Sequence, residues 1–203
     1  MDYEKLAEML FPNIDKNIEY YLSFIQYNSF VVLTFFFLSL IVLVINTISK
    51  NKINKLLFSS YRSSLVNPLT YLRLFTHVLG HANWSHFMNN FLYILLIGPM
   101  IEEKYGSLNL FYMILITAGI TGLINSLRPK NISILGASNI VFMMIVLSSF
   151  VNIQAGKIPL TLILICLCYV VNEIIDGLCK KDDVSHLGHL VGACCGLLFG
   201  FYF

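Results

Sequence analysis

Three groups of polar residues interrupt otherwise apolar stretches of this chain, and their types suit acyl-transfer chemistry. The first is HVLGHANWSHFMNN at 77–90, which holds His77, His81, His86 and Asn90. The second is Gly136-Ala137-Ser138-Asn139, which runs straight into an apolar segment. The third is HLGHLVGACCG at 186–196, with His186 and His189. A serine hydroxyl is a weak nucleophile until a neighbouring base takes its proton. Gly136 and Ala137 keep bulk away from Ser138, and a helix starting there offers unbonded backbone N–H groups and a positive dipole end. The same turn also reads as an ordinary helix N-cap.

His189 is the candidate base. It lies among Gly188, Gly192, Gly196 and Gly200, a small-residue spacing that lets two membrane helices meet backbone to backbone and serves plain helix packing equally well. No carboxylate is expected in any apolar span to pair with His189. His86 and Asn90 are one turn apart and share a helix face. Donors side by side in a low-dielectric site suit a developing oxyanion, with interhelical hydrogen bonding as the competing use. His77 with His81, and His186 with His189, also have zinc-compatible spacing. The glutamate of an HExxH motif and membrane-embedded acidic ligands are missing, so no metal and no other cofactor is expected.

The elements that must position these residues are membrane helices. Apolar residues make up 57% of the chain and charged residues 12%, with a mean hydropathy of +0.76; a soluble domain carries about 25% charged residues. Residues 20–49, 74–101, 105–127, 131–156, 158–172 and 184–203 contain no Asp, Glu, Lys or Arg. A spanning helix needs roughly 17–20 apolar residues. The pattern predicts an all-α membrane protein, a bundle of six transmembrane helices near 30–48, 84–101, 108–124, 138–153, 158–175 and 187–203. A long, partly folded connection is expected over 49–83, because so long a structureless loop is uncommon.

Residues 1–29 form a juxtamembrane segment with a surface helix expected over 3–21, and 30–203 the six-helix core. The acidic amino terminus does not resemble a cleavable signal. No basic-aromatic patch points to nucleic acid. The five cysteines are expected to act as small buried hydrophobes rather than as disulfides.

Together, Arg73, the 77–90 histidine–asparagine series, Glu102 with Gly106 and Ser107, Gly136-Ala137-Ser138, and His189 with Gly192 and Gly196 resemble the rhomboid family of intramembrane serine proteases. The resemblance implies a six-transmembrane-helix rhomboid-like bundle and an intramembrane serine endopeptidase without cofactor. It gives Ser138 the role of nucleophile and His189 that of base and then acid. His86, Asn90 and the Ser138 N–H become the oxyanion hole, and His81 and Arg73 structural supports. Phe142 takes the place of a tyrosine that packs on the imidazole. The implied partners are the lipid bilayer and single-pass or multi-pass membrane proteins, cut within their transmembrane segments. The implied location is the cell membrane, as a multi-pass integral protein.

Two departures stand out: Asn139 replaces a glycine and is expected to add bulk beside the nucleophile, and Leu72 replaces a tryptophan before Arg73. A rhomboid-like client-binding protein with weak or no catalysis is the alternative reading.

Overall fold

The computed structural model describes residues 20, 22–129, 132–153, 157–179 and 185–203. The surface helix expected near the amino terminus lies outside the described residues, 20 excepted. The fold is mostly helical. Helix α1 is Phe30–Ile48. The connection after it folds into α2 (Lys52–Leu57), the two-residue strand β1 (Ser60–Tyr61), α3 (Pro68–Thr76) and a 3₁₀ turn, His77–Leu79. Then come α4 (Trp84–Tyr105), α5 (Ser107–Ser126), strand β2 (Ser133–Ile134) and α6 (Ser138–Ser148). Helix α7 (Leu160–Ile165) continues through a π-helical stretch, Cys166–Val170, into α8 (Val171–Cys179), and α9 is His186–Tyr202.

Several polar groups are buried beside the apolar core, and much of the outer surface is apolar. Ser39, Asn46, Thr117, Thr121, Asn125 and Asn139 are buried, while Phe37, Ile41, Leu92, Leu96, Leu123 and Leu198 are exposed. Water would penalise that outer surface, whereas hydrocarbon favours it and keeps polar groups inside. Phe30–Ile48, Ser107–Ser126 and Leu160–Cys179 are long and apolar enough to cross a bilayer, and α6 and α9 are shorter apolar helices. This is an integral membrane protein.

Three expectations need correction. Helix α6 ends at Ser148, short of 153, and the chain turns there. The fifth apolar segment runs on to Cys179, beyond 175, so Glu173 lies more than one turn from its end rather than at its edge. Of the cysteines, Cys195 is buried but Cys168, Cys179 and Cys194 face outward, where a thiol is tolerated as a small apolar group.

The connection is tied down by buried polar groups. Arg73 is buried; it donates to Leu56 O at 3.3 Å and to Ser63 Oγ at 2.7 Å, and lies over the Tyr61 ring. Strand β1 pairs antiparallel with β2, Ser60 opposite Ile134. Asn125 Nδ2 donates to Ser60 O, joining that ladder to the end of α5. Glu102 works at the other end of α4, some 16 residues and about 24 Å from His86 at 1.5 Å per residue. Its carboxylate accepts from Val31 N, Val32 N and Ser107 Oγ at 2.9, 3.0 and 2.6 Å. Ser29 makes no side-chain cap, so Glu102 caps α1 from a neighbouring helix, where the free N–H groups and dipole favour an anion.

Helix α6 is the central element. It packs against α4, α5 and α9, and Ile140, Met143, Met144 and Leu147 fill the core with Phe87 and Phe91 of α4.

Candidate active site

Ser138 opens α6 after an irregular turn that the sequence specifies locally. Gly136 has φ +117°, a conformation costly for residues with a Cβ. A Cβ there would also meet the His86 ring at 2.6 Å. The turn is held by the preceding motif: Gly136 N–H donates to His77 O at 2.9 Å, and Ala137 N–H to His81 Nε2 at 3.4 Å. His81 Nδ1 in turn faces Leu79 O at 3.2 Å, which fixes Nε2 as the acceptor. Both histidines lie before α4, and burial lowers His77 to about 4 and His81 to about 3. Burial keeps both neutral, and His77, like His81, bonds the turn before Ser138.

Helix α9 brings His189 to this serine. Gly192 and Gly196 lie on the α6 backbone, where added Cβ atoms would stand 2.1 Å from Asn139 O and 2.3 Å from Met143 O. Gly188 and Gly200 take no part in that backbone contact; their added Cβ atoms would meet Ser185 Oγ and the Phe150 ring. With the helices this close, His189 Nε2 stands 2.8 Å from Ser138 Oγ. Phe142, one turn after Ser138, stacks flat on the imidazole, with centroids 4.4 Å apart and planes 7° apart.

His86 and Asn90 share the face of α4 that looks at Gly136. Asn83 caps α4 by accepting from His86 N–H at 2.9 Å, which sets where the helix starts. Asn90 is buried, and its Nδ2 has no hydrogen-bond partner among the described residues. A buried unpaired donor is costly and needs an explanation; a charge that appears only during reaction would be one. His86, Asn90, Ser138 and His189 line one cleft of about 620 Å³ with Ser133, Leu135 and Ser185. Arg73 and Glu102 are not among the residues that line it.

Two residues behave differently from expectation. Asn139 does not crowd the nucleophile: its Nδ2 donates to Thr121 Oγ1 on α5 at 2.5 Å, and its Oδ1 accepts from Ile140 N–H. His189, expected to lack a carboxylate, has one: Glu173 Oε1 lies 2.5 Å from His189 Nδ1 and 2.7 Å from His186 Nδ1. The one signal available was an acid ending an apolar run on span five.

Glu173, His186 and His189 are the described residues whose ligand atoms cluster as a cation would require, all within 4.8 Å. The contacts between them are nevertheless donor–acceptor distances. Nitrogen and oxygen ligands of a tetrahedral zinc at about 2.0 Å stand about 3.3 Å apart, so hydrogen bonding describes the trio better.

The profile of the Rhomboid domain matches residues 68–203. α1 lies ahead of the matched region. "Rhomboid-like protein 11, chloroplastic" of Arabidopsis thaliana is 26% identical over 61% of this chain and 49% of its own length. "RHOMBOID-like protein 1" of the same plant is 30% identical over 70% of this chain and 36% of its own length. The chain thus spans less than half of each of these curated relatives.

Proposed function

The chain belongs to the rhomboid family, and on that premise we propose that it is an intramembrane serine endopeptidase that cleaves transmembrane segments of other membrane proteins. The observation that carries this reading is the 2.8 Å contact between Ser138 Oγ and His189 Nε2 inside the cleft. Ser138 attacks the scissile carbonyl as His189 takes its proton. The oxyanion that forms is held by Asn90 Nδ2, the His86 ring and the Ser138 N–H, because donors fixed before the charge develops stabilise it most. The imidazolium returns its proton to the leaving amine, and water repeats the sequence on the acyl-enzyme. In the same reading all six apolar segments cross the bilayer, residues 30–203 form the catalytic core, and the cell membrane is the location. The substrate reaches the cleft sideways from the bilayer.

A serine-directed fluorophosphonate tests the reading. It should label Ser138 covalently, His189→Ala should abolish labelling, and chelators should leave it unchanged. Ser138→Ala should also stop cleavage of a fluorogenic transmembrane peptide while the protein keeps its melting temperature. Labelling that survives His189→Ala, or a peptide cut equally well without Ser138, would refute the assignment. An unlabelled but folded protein would favour a client-binding role.

A further inference from the structure

We propose that Glu173 is the orienting carboxylate of this site, so that the reacting unit is Ser138–His189–Glu173 rather than a serine–histidine pair. The inference rests on the protease reading and adds a positioning residue to it. Its first support is the tautomer. A carboxylate accepts hydrogen bonds and does not donate them, so a ring nitrogen 2.5 Å from Glu173 Oε1 must carry a proton. In a neutral imidazole that leaves the other nitrogen bare, and that nitrogen, Nε2, faces Ser138 Oγ.

The second support is what the aromatic stack leaves open. Phe142 fixes the plane of the imidazole, but a flat apolar contact is indifferent to a half-turn of the ring within that plane. The half-turn would remove Nε2 from the serine. Glu173 breaks the degeneracy by rewarding one edge of the ring.

The third is that Glu173 is itself held. His186 Nδ1 shares the same Oε1 at 2.7 Å, so two imidazoles of α9 fix one carboxylate of α8. Both His189 and Glu173 are about one-tenth exposed at their side chains. Screening by water is weak there, and the carboxylate lies where positive charge develops on the ring as the serine proton arrives. Outside such a role, an acid in a segment apolar enough to cross a bilayer is costly.

The test uses the full chain in detergent with a fluorogenic transmembrane peptide, comparing wild type, Ser138→Ala, Glu173→Gln and Glu173→Asp. Glutamine keeps the size of the side chain but removes the charge and can offer the ring an N–H in place of an acceptor. Glu173→Gln should lower kcat roughly 10- to 100-fold, the worth of a hydrogen bond to a charged group. KM should stay within about twofold and the melting temperature should not move. Glu173→Asp should recover part of the lost kcat. A Gln variant at the wild-type kcat, a loss confined to KM or melting temperature, or an Asp variant no better than Gln would each overturn the inference alone. Wild type that fails to cleave, or Ser138→Ala that still cleaves, overturns the protease reading and this inference together.

Discussion

Replacing Gly192 by alanine should disable the proposed site with a single methyl group that touches neither reacting residue. The added Cβ would stand 2.1 Å from Asn139 O, 2.9 Å from Asn139 C and 3.1 Å from Asn139 Cα. All three are backbone atoms within α6, so no side-chain rotation relieves the clash. Carbon and oxygen pack at roughly 3.5 Å, so α9 must retreat or turn by more than about 1 Å. Asn139 adjoins Ser138, and Gly192 lies less than one turn after His189, so the shift acts directly on the reacting pair. Adding about 1 Å to a 2.8 Å contact takes it out of hydrogen-bond range. Misplacement of that size costs about a hundredfold in rate. The assay is kcat on the fluorogenic transmembrane peptide, with the rate of phosphonate labelling as a substrate-free check. Gly200→Ala is the control: its clash is with the buried Phe150 ring rather than with the backbone beside Ser138, far along α9 from the site. Expected are a large loss for Gly192→Ala and a loss of less than a few-fold for Gly200→Ala. Wild-type cleavage and labelling in Gly192→Ala would show that the close helix approach does not set the serine–histidine distance.

His86→Ala and Asn90→Ala should each lower kcat about 10²- to 10³-fold as oxyanion donors; unchanged turnover at equal melting temperature would assign them to packing. Asn139→Gly should destabilise the fold by about 1–2 kcal/mol, because it removes the bond to Thr121 and puts glycine in the first turn of α6. A melting temperature equal to wild type would contradict this. Acid should destabilise the protein through His77 and His81. Burial holds both well below the ordinary 6.5, so the unfolded chain binds protons that the folded one refuses. Their contribution is fully present above pH 6.5 and is lost as the pH falls towards about 4 for His77 and about 3 for His81. The melting temperature in detergent should drop between pH 7.5 and 5, and an equal value at both would refute the argument.

Much of the architecture was legible because hydrocarbon imposes a simple code. Long charge-free runs mark helices, and the position of α1 follows directly from 30–48. Spacing of four likewise placed His86 with Asn90, and Gly192 with Gly196, on shared faces. Illegible were features that depend on how far a helix continues past its apolar run. Glu173 ends the charge-free stretch 158–172 and so reads as a boundary residue at the interface. In the folded chain α8 carries it onward to meet α9. Residues 60–61 and 133–134 were equally opaque, since a two-residue ladder has no periodicity to detect.

The five histidines show what kind of information a sequence withholds. By composition they form one class, a set of imidazoles in apolar surroundings. The fold divides them by what each presents to its neighbours. His77 acts through its backbone carbonyl, and His81 through an acceptor nitrogen, and between them they pin the two residues before Ser138. That pinning holds the turn from which α6 begins at Ser138. His86 turns its ring onto Gly136, at a place where any side chain would collide with it. His186 and His189 meet a single carboxylate from α8. Only His189 touches the proposed nucleophile, yet its geometry depends on the other elements: Gly136 and Ala137 place the serine, Gly192 places the helix, Phe142 sets the ring plane and Glu173 the ring edge. A site so supported should fail by misplacement as readily as by loss of a reacting group, which is why the Gly192 methyl is expected to act like a mutation at the active site.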